Sequence, residues 1–334
     1  MSKSKIILHK PLKWPCVFLC VCVSVCMAFP LESKEQIGAS LLDLQEHELN
    51  DKIYDIKNSR FTDKVNLLNS IADSKYILLG ETHDNLKHHE NQAWVIDELA
   101  RLSFSTSVSF EMIDDTQGEL IAGRDIKTSN ELIKLLNHYK TAWQYEDYYK
   151  VLFDSVLQAG LNILPANIER QKLYSFIRHN KNGLSIETEK LMAEISLTAE
   201  MENNLRKEII ESHCGMIDQE SAEPMMNGQR VRDATMALSL LNADADKRVL
   251  IAGRGHVRND RGVPVYLSSQ DKEERIISVA LLEVEQDNVD IASYQTHWDT
   301  MRFPFDYVWF TARASREDPC LSFKTTQKVI IDYD

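Results

Sequence analysis

Two motifs of the form Gly-x-x-His each follow an apolar run in this sequence. Gly80 and His83 bound the first motif, after residues 76–79, and Gly253 and His256 bound the second, after residues 248–252. An apolar strand that ends in this way presents an imidazole, which can titrate or bind metal, at the end of a sheet. Two such strands predict two imidazoles facing one crevice, where they could hold a divalent metal or exchange protons with carboxylates.

Polar side chains follow each of the predicted parallel strands. Ligands of open parallel sheets bind beyond the carboxyl ends of the strands. We therefore expect one rim, formed by Glu81, His83, Glu111, Asn167, Glu169, Arg254 and His256. Taken together these side chains favour a ligand site. Taken singly they have ordinary structural roles, such as Glu111 capping a helix or His83 bonding to backbone at the strand end.

Residues 84–90 have the composition of a helix start beside the first motif. Asp84 or Asn85 is the predicted N-cap, and a helix N-terminus favours a nearby anion. Lys87, His88 and His89 add cationic or protonatable groups there. The pattern predicts a carboxylate-binding site or, equally, an ordinary solvated first turn.

An aromatic cluster occupies residues 143–149, with Trp143, Tyr145, Tyr148 and Tyr149 beside acidic residues. Such density is most often typical of a helix start that packs on the core. A flat apolar ligand with a metal centre also needs aromatic walls, and tyrosinate is a known ligand of ferric haem. Covalent c-type haem is excluded because the sequence has no Cys-x-x-Cys-His.

Short apolar runs alternate with amphipathic stretches, which predicts an α/β fold with a mostly parallel central sheet flanked by helices. The predicted strands are 76–79, 106–110, 162–166, 248–252 and 275–282, with late, antiparallel edge strands at 288–294 and 305–310. The predicted helices are 31–74, 86–101, 130–139, 146–159, 185–212 and 228–242. Residues 169–245 lack a clear strand, so we expect a helical insertion or subdomain there.

Residues 1–29 form a predicted export leader. Four lysines without an acidic residue precede an apolar run at 16–29, which is too short to span a bilayer and typical of a signal peptide. Small residues at 26–28 suit signal peptidase. A loose lipobox ending at Cys26 leaves lipidation open, and an uncleaved anchor is the least favoured alternative. Residues 30–54 are predicted as a linker or helix.

The charge of the chain excludes a class of function. Removal of the four leader lysines lowers the 38 basic residues to 34 against 51 acidic ones, a net charge of −17. Binding to nucleic acid requires a basic face, which this composition does not favour. Charge-driven binding to anionic lipid is disfavoured for the same reason.

Cysteine usage points to an oxidising compartment. Four of the six cysteines lie in the leader, which leaves Cys214 and Cys320 in the exported chain. Two thiols in such a compartment are most simply a disulfide, which would tie the C-terminal segment to the domain. Two buried free thiols are the alternative.

An ordered set of segments resembles the ChaN-type haem-binding lipoproteins, which belong to a wider superfamily of Tiki, TraB and erythromycin-esterase-like proteins. The matching segments are 79–85, 88–89, 110–112, 167–170, 213–216, 229–237, 252–260, 262–264, 305–311 and 316–320. The resemblance covers residues 55–322 as one haem-binding domain and leaves 323–334 as a tail.

The resemblance implies an exported haem-binding protein of the periplasm or outer membrane, with a role in iron uptake. Haem would lie at a homodimer interface, where a tyrosine of one subunit ligates iron and basic residues of the other hold the propionates. Tyr149 best matches the ligand, with Tyr148 and Tyr145 as alternatives, and Lys87 and His88 match the propionate partners. An outer-membrane haem receptor is a further implied partner.

The wider superfamily implies a different use of the rim. Its Tiki-type members resemble metal-dependent peptidases, for which His83, Glu111 and His256 would be the metal ligands. Its esterase-like members use His and Glu without metal, which would make Glu81, His83, Glu111 and His256 catalytic. A third alternative is an envelope interaction protein whose rim residues are purely structural.

Overall fold

The computed structural model describes residues 42–139, 141–179, 183–298, 300, 302–316 and 320. Its strands are β1 (Leu42–Asp43), β2 (Ile53–Asp55), β3 (Arg60–Thr62), β4 (Tyr76–Glu81), β5 (Thr106–Asp114), β6 (Asn162–Asn167), β7 (Lys247–Gly253), β8 (Ile276–Glu283), β9 (Tyr307–Thr311) and β10 (Arg313–Ala314). Its α-helices are α1 (Lys64–Ala72), α2 (Leu86–Arg101), α3 (Asp115–Ile121), α4 (Ser129–Leu136), α5 (Lys150–Gln158), α6 (Arg170–His179), α7 (Ile186–Glu194), α8 (Ala199–Ser212), α9 (Gln219–Leu241), α10 (Val263–Gln270) and α11 (Ile291–Gln295). A π-helical turn (Tyr145–Tyr149) precedes α5, and a 3₁₀ turn (Thr296–Trp298) follows α11.

One eight-stranded sheet forms the centre of the molecule, in the order β3-β2-β9-β8-β4-β7-β5-β6. The strands from β9 to β6 in this order run parallel. Strand β2 pairs antiparallel with β9, and β3 pairs antiparallel with β2. Strands β1 and β10 pair separately. The predicted α/β class with a mostly parallel sheet is confirmed.

The central strands are buried on both faces because helices cover both. Alternate residues of a strand point to opposite faces. In β4, Ile77 and Leu79 pack with Val95 of α2 and Phe153 of α5 in one apolar cluster. Tyr76 and Leu78 pack in a second cluster on the other face, which includes Leu240 of α9 and Leu267 of α10. This double burial explains why β4 and β7 have continuous apolar sequences.

The predicted late edge strands were placed incorrectly. Residues 288–294 contain a loop and the start of α11, where the Asp290 side chain accepts a hydrogen bond from the Ala292 N–H and caps the helix. The strand predicted at 305–310 exists as β9, but it runs parallel to β8 and lies inside the sheet between β8 and β2. The apolar run correctly predicted a strand. The position of that strand in the sheet depends on β2 and β8, which it pairs with.

The helix predicted over residues 31–74 is wrong for most of its described part. Only α1 is helical, while residues 42–62 form β1 and the β2–β3 hairpin. Ile53 and Asp55 are buried with half-buried Tyr54 between them, and Ile53 pairs with Trp309 of β9. Pairing with β9 determines this conformation, because the local apolar spacing also suits a helix.

The insertion between β6 and β7 is helical, as predicted, and contains α6, α7, α8 and α9. The helix predicted over 185–212 is two helices, because Thr198 accepts a hydrogen bond from the Met201 N–H and begins α8 anew. Helices α3, α6 and α10 were not predicted. The predicted leader 1–29 and tail 323–334, as well as Cys26, lie outside the described residues.

A disulfide joins Cys214 to Cys320, across a sequence separation of 106 residues, and confirms the predicted pairing. It links the segment after α8 to the segment after β10. Within the described part of the chain, no helix has both the length and the apolar character needed to cross a bilayer.

Candidate functional site

The carboxyl ends of four adjacent strands bring most of the predicted rim together. In the order β4, β7, β5 and β6, these strands are direct neighbours. Glu81 at the end of β4 is in register with Gly253 at the end of β7. The Gly253 N–H donates to Glu111 Oε2 at 2.7 Å, because β5 continues past the predicted end at Phe110 and carries Glu111 alongside β7.

The first histidine faces outward from this edge. The side chain of His83 is 41% exposed, and its Nδ1–H donates to Glu81 Oε1 at 2.9 Å. Glu81 is buried and also accepts a 2.9 Å hydrogen bond from the Tyr149 hydroxyl. Although burial opposes its ionisation, the neighbouring His89 and His83 lower the pKa of Glu81 well below its usual value. His89 Nε2 lies 3.2 Å from Glu81 Oε2, without the alignment of a hydrogen bond.

The second histidine is enclosed. His256 is 6% exposed, and its Nδ1–H donates to Asp233 Oδ1 of α9 at 2.6 Å. Its Nε2 lies 3.5 Å from Glu111 Oε1. Burial disfavours the imidazolium, but Glu111 and Asp233 outweigh it and raise the pKa of His256 to about 10. Burial likewise opposes ionisation of Glu111, and His256 and His83 lower its pKa to about 2.

The two histidines are connected through Glu111. His83 Nε2 lies 4.0 Å from Glu111 Oε2, so carboxylates and imidazoles alternate from Glu81 to Asp233. Each buried charge therefore has an opposite neighbour, which is the condition for stable buried ionic groups. Among the described residues, no group of three or more His, Cys, Asp or Glu side chains has an arrangement that could hold a metal ion. The alternative that His83, Glu111 and His256 bind a metal has no support.

A cavity of about 1060 Å³ lies above the first histidine. His83, Trp143, Tyr148 and Tyr149 line it, and the His83 and Trp143 rings meet edge to face with centroids 4.9 Å apart. Cationic and anionic side chains complete the lining, namely Arg254, Arg313, Arg316, His297, Asp84, Glu283 and Glu285. The cavity therefore combines an aromatic wall with charged groups, and it is large enough for a bulky ligand.

The three candidate tyrosines differ in what their hydroxyls contact. Tyr145 is buried, donates to Met112 O at 2.6 Å and accepts from Gln117, and burial raises its pKa to about 12. Tyr149 is buried against Glu81, and burial together with that carboxylate raises its pKa far above the usual value. Tyr148 is half-buried at the cavity, and among the described residues its hydroxyl has no hydrogen-bond partner.

The predicted propionate partners lie elsewhere. The Asn85 side chain caps α2 and bonds to the Lys87 and His88 N–H groups. Lys87 does not line the cavity and pairs with Glu90 at 3.0 Å. His88 is fully buried, where its Nδ1 accepts from Thr82 N–H and its Nε2–H donates to Thr311 Oγ1, each at 2.8 Å. Neither nitrogen of His88 is available to a ligand.

Three arginines instead reach the cavity. Arg316 binds two carboxylates, each through two hydrogen bonds, from Asp84 and Glu283. Arg254 donates to the Thr82 hydroxyl and lies beside no carboxylate within ion-pair distance among the described residues, and burial lowers its pKa. Arg313 is exposed, and no described residue forms a hydrogen bond or ion pair with its guanidinium.

The remaining rim predictions have different outcomes. Asn167 supports the edge, because its Nδ2 donates to the Glu111 backbone oxygen at 2.9 Å. Glu169 lies apart from the histidines and belongs to a pair with Lys172. Asp233 was not predicted, although a carboxylate between the apolar Val231 and Ala234 on a predicted helix is a usable signal. Arg313 and Arg316 were also not predicted as lining residues, because they reach the cavity only through the pairing of β1 with β10 and contacts distant in sequence.

Fold and site define an α/β protein with a ligand cavity at the carboxyl edge of a parallel sheet, lined by aromatic and basic side chains. A sequence model of the haem-binding uptake family ChaN, of the Tiki superfamily, matches residues 67–267. The chain belongs to this family. The matched segment includes β4, β5 and β7, which carry Glu81, Glu111 and Gly253.

Solved structures with similar folds include that of cofacial haem binding to ChaN of Campylobacter jejuni. It is 19% identical, with 79% of this chain and 97% of that chain covered and a TM-score of 0.58. An erythromycin esterase in its open conformation is 13% identical over 78% of this chain and 81% of its own, with a TM-score of 0.39. A Bacillus cereus protein is 12% identical over 85% of this chain and 100% of its own, with a TM-score of 0.38. No curated protein matches the chain.

Proposed function

We propose that this protein binds haem in the cavity above His83 and serves haem or iron uptake. Membership of the haem-binding uptake family is the observation that carries the proposal. The matched residues also build the aromatic wall of the cavity, from His83 to Tyr149.

The chemistry of the lining fits haem. A flat apolar macrocycle suits the half-buried Trp143 and Tyr148, since aromatic rings stack or pack edge to face on such a surface. Two propionates require cations at the edge of the cavity. Arg254 and Arg313 are suited to this role, because their guanidinium groups have no carboxylate partner among the described residues, whereas Arg316 already binds two. A guanidinium can bind a carboxylate through two parallel hydrogen bonds.

Tyr148 is the proposed iron ligand. Bound haem would supply a ferric iron, for which phenolate is a suitable ligand. Burial and the carboxylates of Asp84 and Asp147 raise the pKa of Tyr148, and Arg316 opposes this effect. Tyr149 is less suitable, because loss of its proton would place a phenolate against the buried Glu81 carboxylate. Tyr145 is unsuitable because its hydroxyl is committed to Met112 and Gln117.

Hemin titration of the mature chain tests both parts of this proposal. Wild type should give a saturable Soret band, and absence of a shift at micromolar hemin would contradict haem binding. Tyr148→Phe should shift the band and weaken binding by about tenfold or more, which equals about 1.4 kcal/mol. Tyr149→Phe and Tyr145→Phe are matched controls that remove one hydroxyl from the same turn. A spectrum altered only in Tyr149→Phe would reassign the ligand to Tyr149.

The proposal also covers the location and the oligomeric state of the protein. We place the protein in the envelope, either free in the periplasm or lipid-anchored at the outer membrane, where it would receive haem from an uptake receptor. Haem would lie at a homodimer interface, with the propionates of one subunit's haem held by the other subunit. Fractionation of cells, with mass spectrometry of the mature N-terminus, tests the location. Sedimentation of the protein with and without hemin tests the dimer, and a monomer in both states would contradict it.

A further inference from the structure

The disulfide joins the two segments that cover the two Gly-x-x-His loops. Cys214 follows α8, and Cys320 follows the C-terminal strap, which we define as residues 311–316. The strap contacts the loop after β4, while α8 contacts the loop after β7. The bond therefore connects the segment after α8 covalently to the segment after the strap.

The strap holds the first loop by direct contacts. Thr311 accepts a hydrogen bond from His88, and the Ala312 oxygen accepts one from Asn85 Nδ2 at 3.0 Å. Arg316 donates twice to Asp84, at 2.7 and 2.8 Å, and twice to Glu283. The strap also supplies Arg313 and Arg316 to the cavity lining. Its position therefore determines one wall of the proposed haem site.

Helix α8 holds the second loop in a comparable way. Its Glu208 carboxylate binds Arg258 at 3.2 Å and also Arg261, both of which follow His256 in sequence. Arg258 and Arg261 are buried and require counter-charges, which Glu208 supplies to both and Asp260 also supplies to Arg258. Helix α8 ends at Ser212, two positions before Cys214. Movement of Cys214 would therefore be transmitted to the loop that carries His256.

The covalent connection restrains the strap closely. Only three residues separate Arg316 from Cys320, so the fully extended backbone between the two spans at most about 14 Å. Arg316 can therefore not move far from the cavity while Cys320 remains bonded to Cys214. Both cysteines are half-buried, which leaves the bond within reach of a small dithiol.

We propose that the Cys214–Cys320 disulfide is a redox-controlled clasp, which slows release of ligand from the cavity while it is oxidised. A dithiol reductant would transfer two electrons and two protons to the bond, yielding the thiols of Cys214 and Cys320 and the oxidised, cyclic disulfide of the reductant. The freed strap would then open more often and release Arg313 and Arg316 from the cavity wall. The proposal depends on haem as the ligand only for its first test.

The first test measures hemin dissociation from oxidised and dithiol-reduced protein, with apomyoglobin as the acceptor. Reduction should accelerate dissociation by about tenfold, a coupling of ordinary size, and reoxidation should restore the slow rate. The Cys214→Ser/Cys320→Ser variant should match the reduced protein and be insensitive to dithiol. Equal rates in oxidised and reduced protein would overturn the clasp. Failure of the oxidised protein to bind hemin would instead contradict the proposed function.

The second test needs no haem. Amide hydrogen exchange should become faster in residues 311–316 and 82–88 after reduction, while the amides of β4 remain protected. Loss of protection in β4 as well would show that the bond stabilises the whole fold, and would overturn the clasp. Arg316→Ala with the disulfide intact is the matched control, because it removes the strap's ion pairs without changing the covalent connection. It should accelerate exchange in the strap independently of dithiol.

Discussion

The two Gly-x-x-His motifs have the same spacing and the same position after a parallel strand, yet their histidines occupy opposite environments. His83 is half-exposed, lines the cavity and contacts Trp143. His256 is buried between Asp233 and Glu111 and lies behind α9 and α8. The difference arises from what covers each loop, since the backbone delivers both imidazoles to one edge. The repeated motif therefore predicts where each histidine lies in the sheet. The role of each histidine depends on residues that are distant in sequence.

Removal of each imidazole should give the largest difference in the free energy of unfolding between the two motifs. His256→Ala leaves the carboxylates of Asp233 and Glu111 buried without their shared partner, and should lower the free energy of unfolding by about 3–5 kcal/mol. His83→Ala removes one hydrogen bond from a half-exposed ring and should cost about 1 kcal/mol. Urea unfolding of both variants at pH 7 gives the comparison. Equal losses would show that the two histidines have the same structural role.

The glycines of the two motifs should also differ. A Cβ on Gly80 would lie 2.3 Å from Val257 Cγ2 and 3.1 Å from the Arg254 backbone, so Gly80→Ala should cost about 1–3 kcal/mol. A Cβ on Gly253 would meet His83 Nε2 at 3.0 Å, and this half-exposed ring can move, so Gly253→Ala should cost less. Adding Val257→Ala to Gly80→Ala should recover part of the loss in urea unfolding. No recovery would exclude the contact with Val257 as the cause.

Stability should respond to alkaline pH through His256. Its folded-state pKa of about 10 lies above the ordinary histidine value of 6.5, so its contribution to stability is complete below about pH 6.5 and is lost as the pH rises through about 10. The free energy of unfolding should therefore fall as the pH rises from 7 to 10, with a contribution from this group of up to about 1.4 kcal/mol per pH unit. His256→Gln should lose that part of the slope, and His83→Gln should retain it. An identical slope in wild type and His256→Gln would refute the assignment.

The smallest expected effect concerns the ligand. His83→Gln keeps a polar side chain beside Glu81 but removes the ring that packs on Trp143, and should weaken hemin binding by about threefold, or roughly 0.6 kcal/mol. Its free energy of unfolding should change by less than about 0.5 kcal/mol. Hemin titration and urea unfolding of one preparation give both values. A loss of binding as large as that of Tyr148→Phe would make His83 a second candidate for the iron ligand.

Local sequence predicted those parts of the fold whose structure is set locally. The runs that became β4 and β7 are apolar because both sheet faces are buried, and Asn85 and the paired glycines have the residue types that caps and close approaches require. The order of strands could not be predicted in this way. Whether residues 305–310 lie at an edge or inside the sheet depends on Ile53, more than 250 residues away in the chain.

The site was predictable to a similar extent. Glu81, His83, Glu111 and His256 follow apolar runs and meet at one edge, as their positions implied. The arginines that line the cavity were not predictable. Arg313 and Arg316 belong to a short segment that reaches the cavity through contacts with β1, Asp84 and Glu283. The spacing of His88 suggested an exposed helix turn, while in the structure Thr82 and Thr311 use both of its nitrogens.

The place of β9 has a consequence for how the chain folds. Ile53 of β2 pairs with Trp309 of β9, and β9 in turn separates β2 from β8. The sheet can therefore not be completed until residues up to 311 are available, and its closure requires a contact of very high sequence separation. Such contacts make folding slow and leave the early strands without partners during synthesis. For this protein, any chaperone that holds the unfolded chain must act until residue 311 is available.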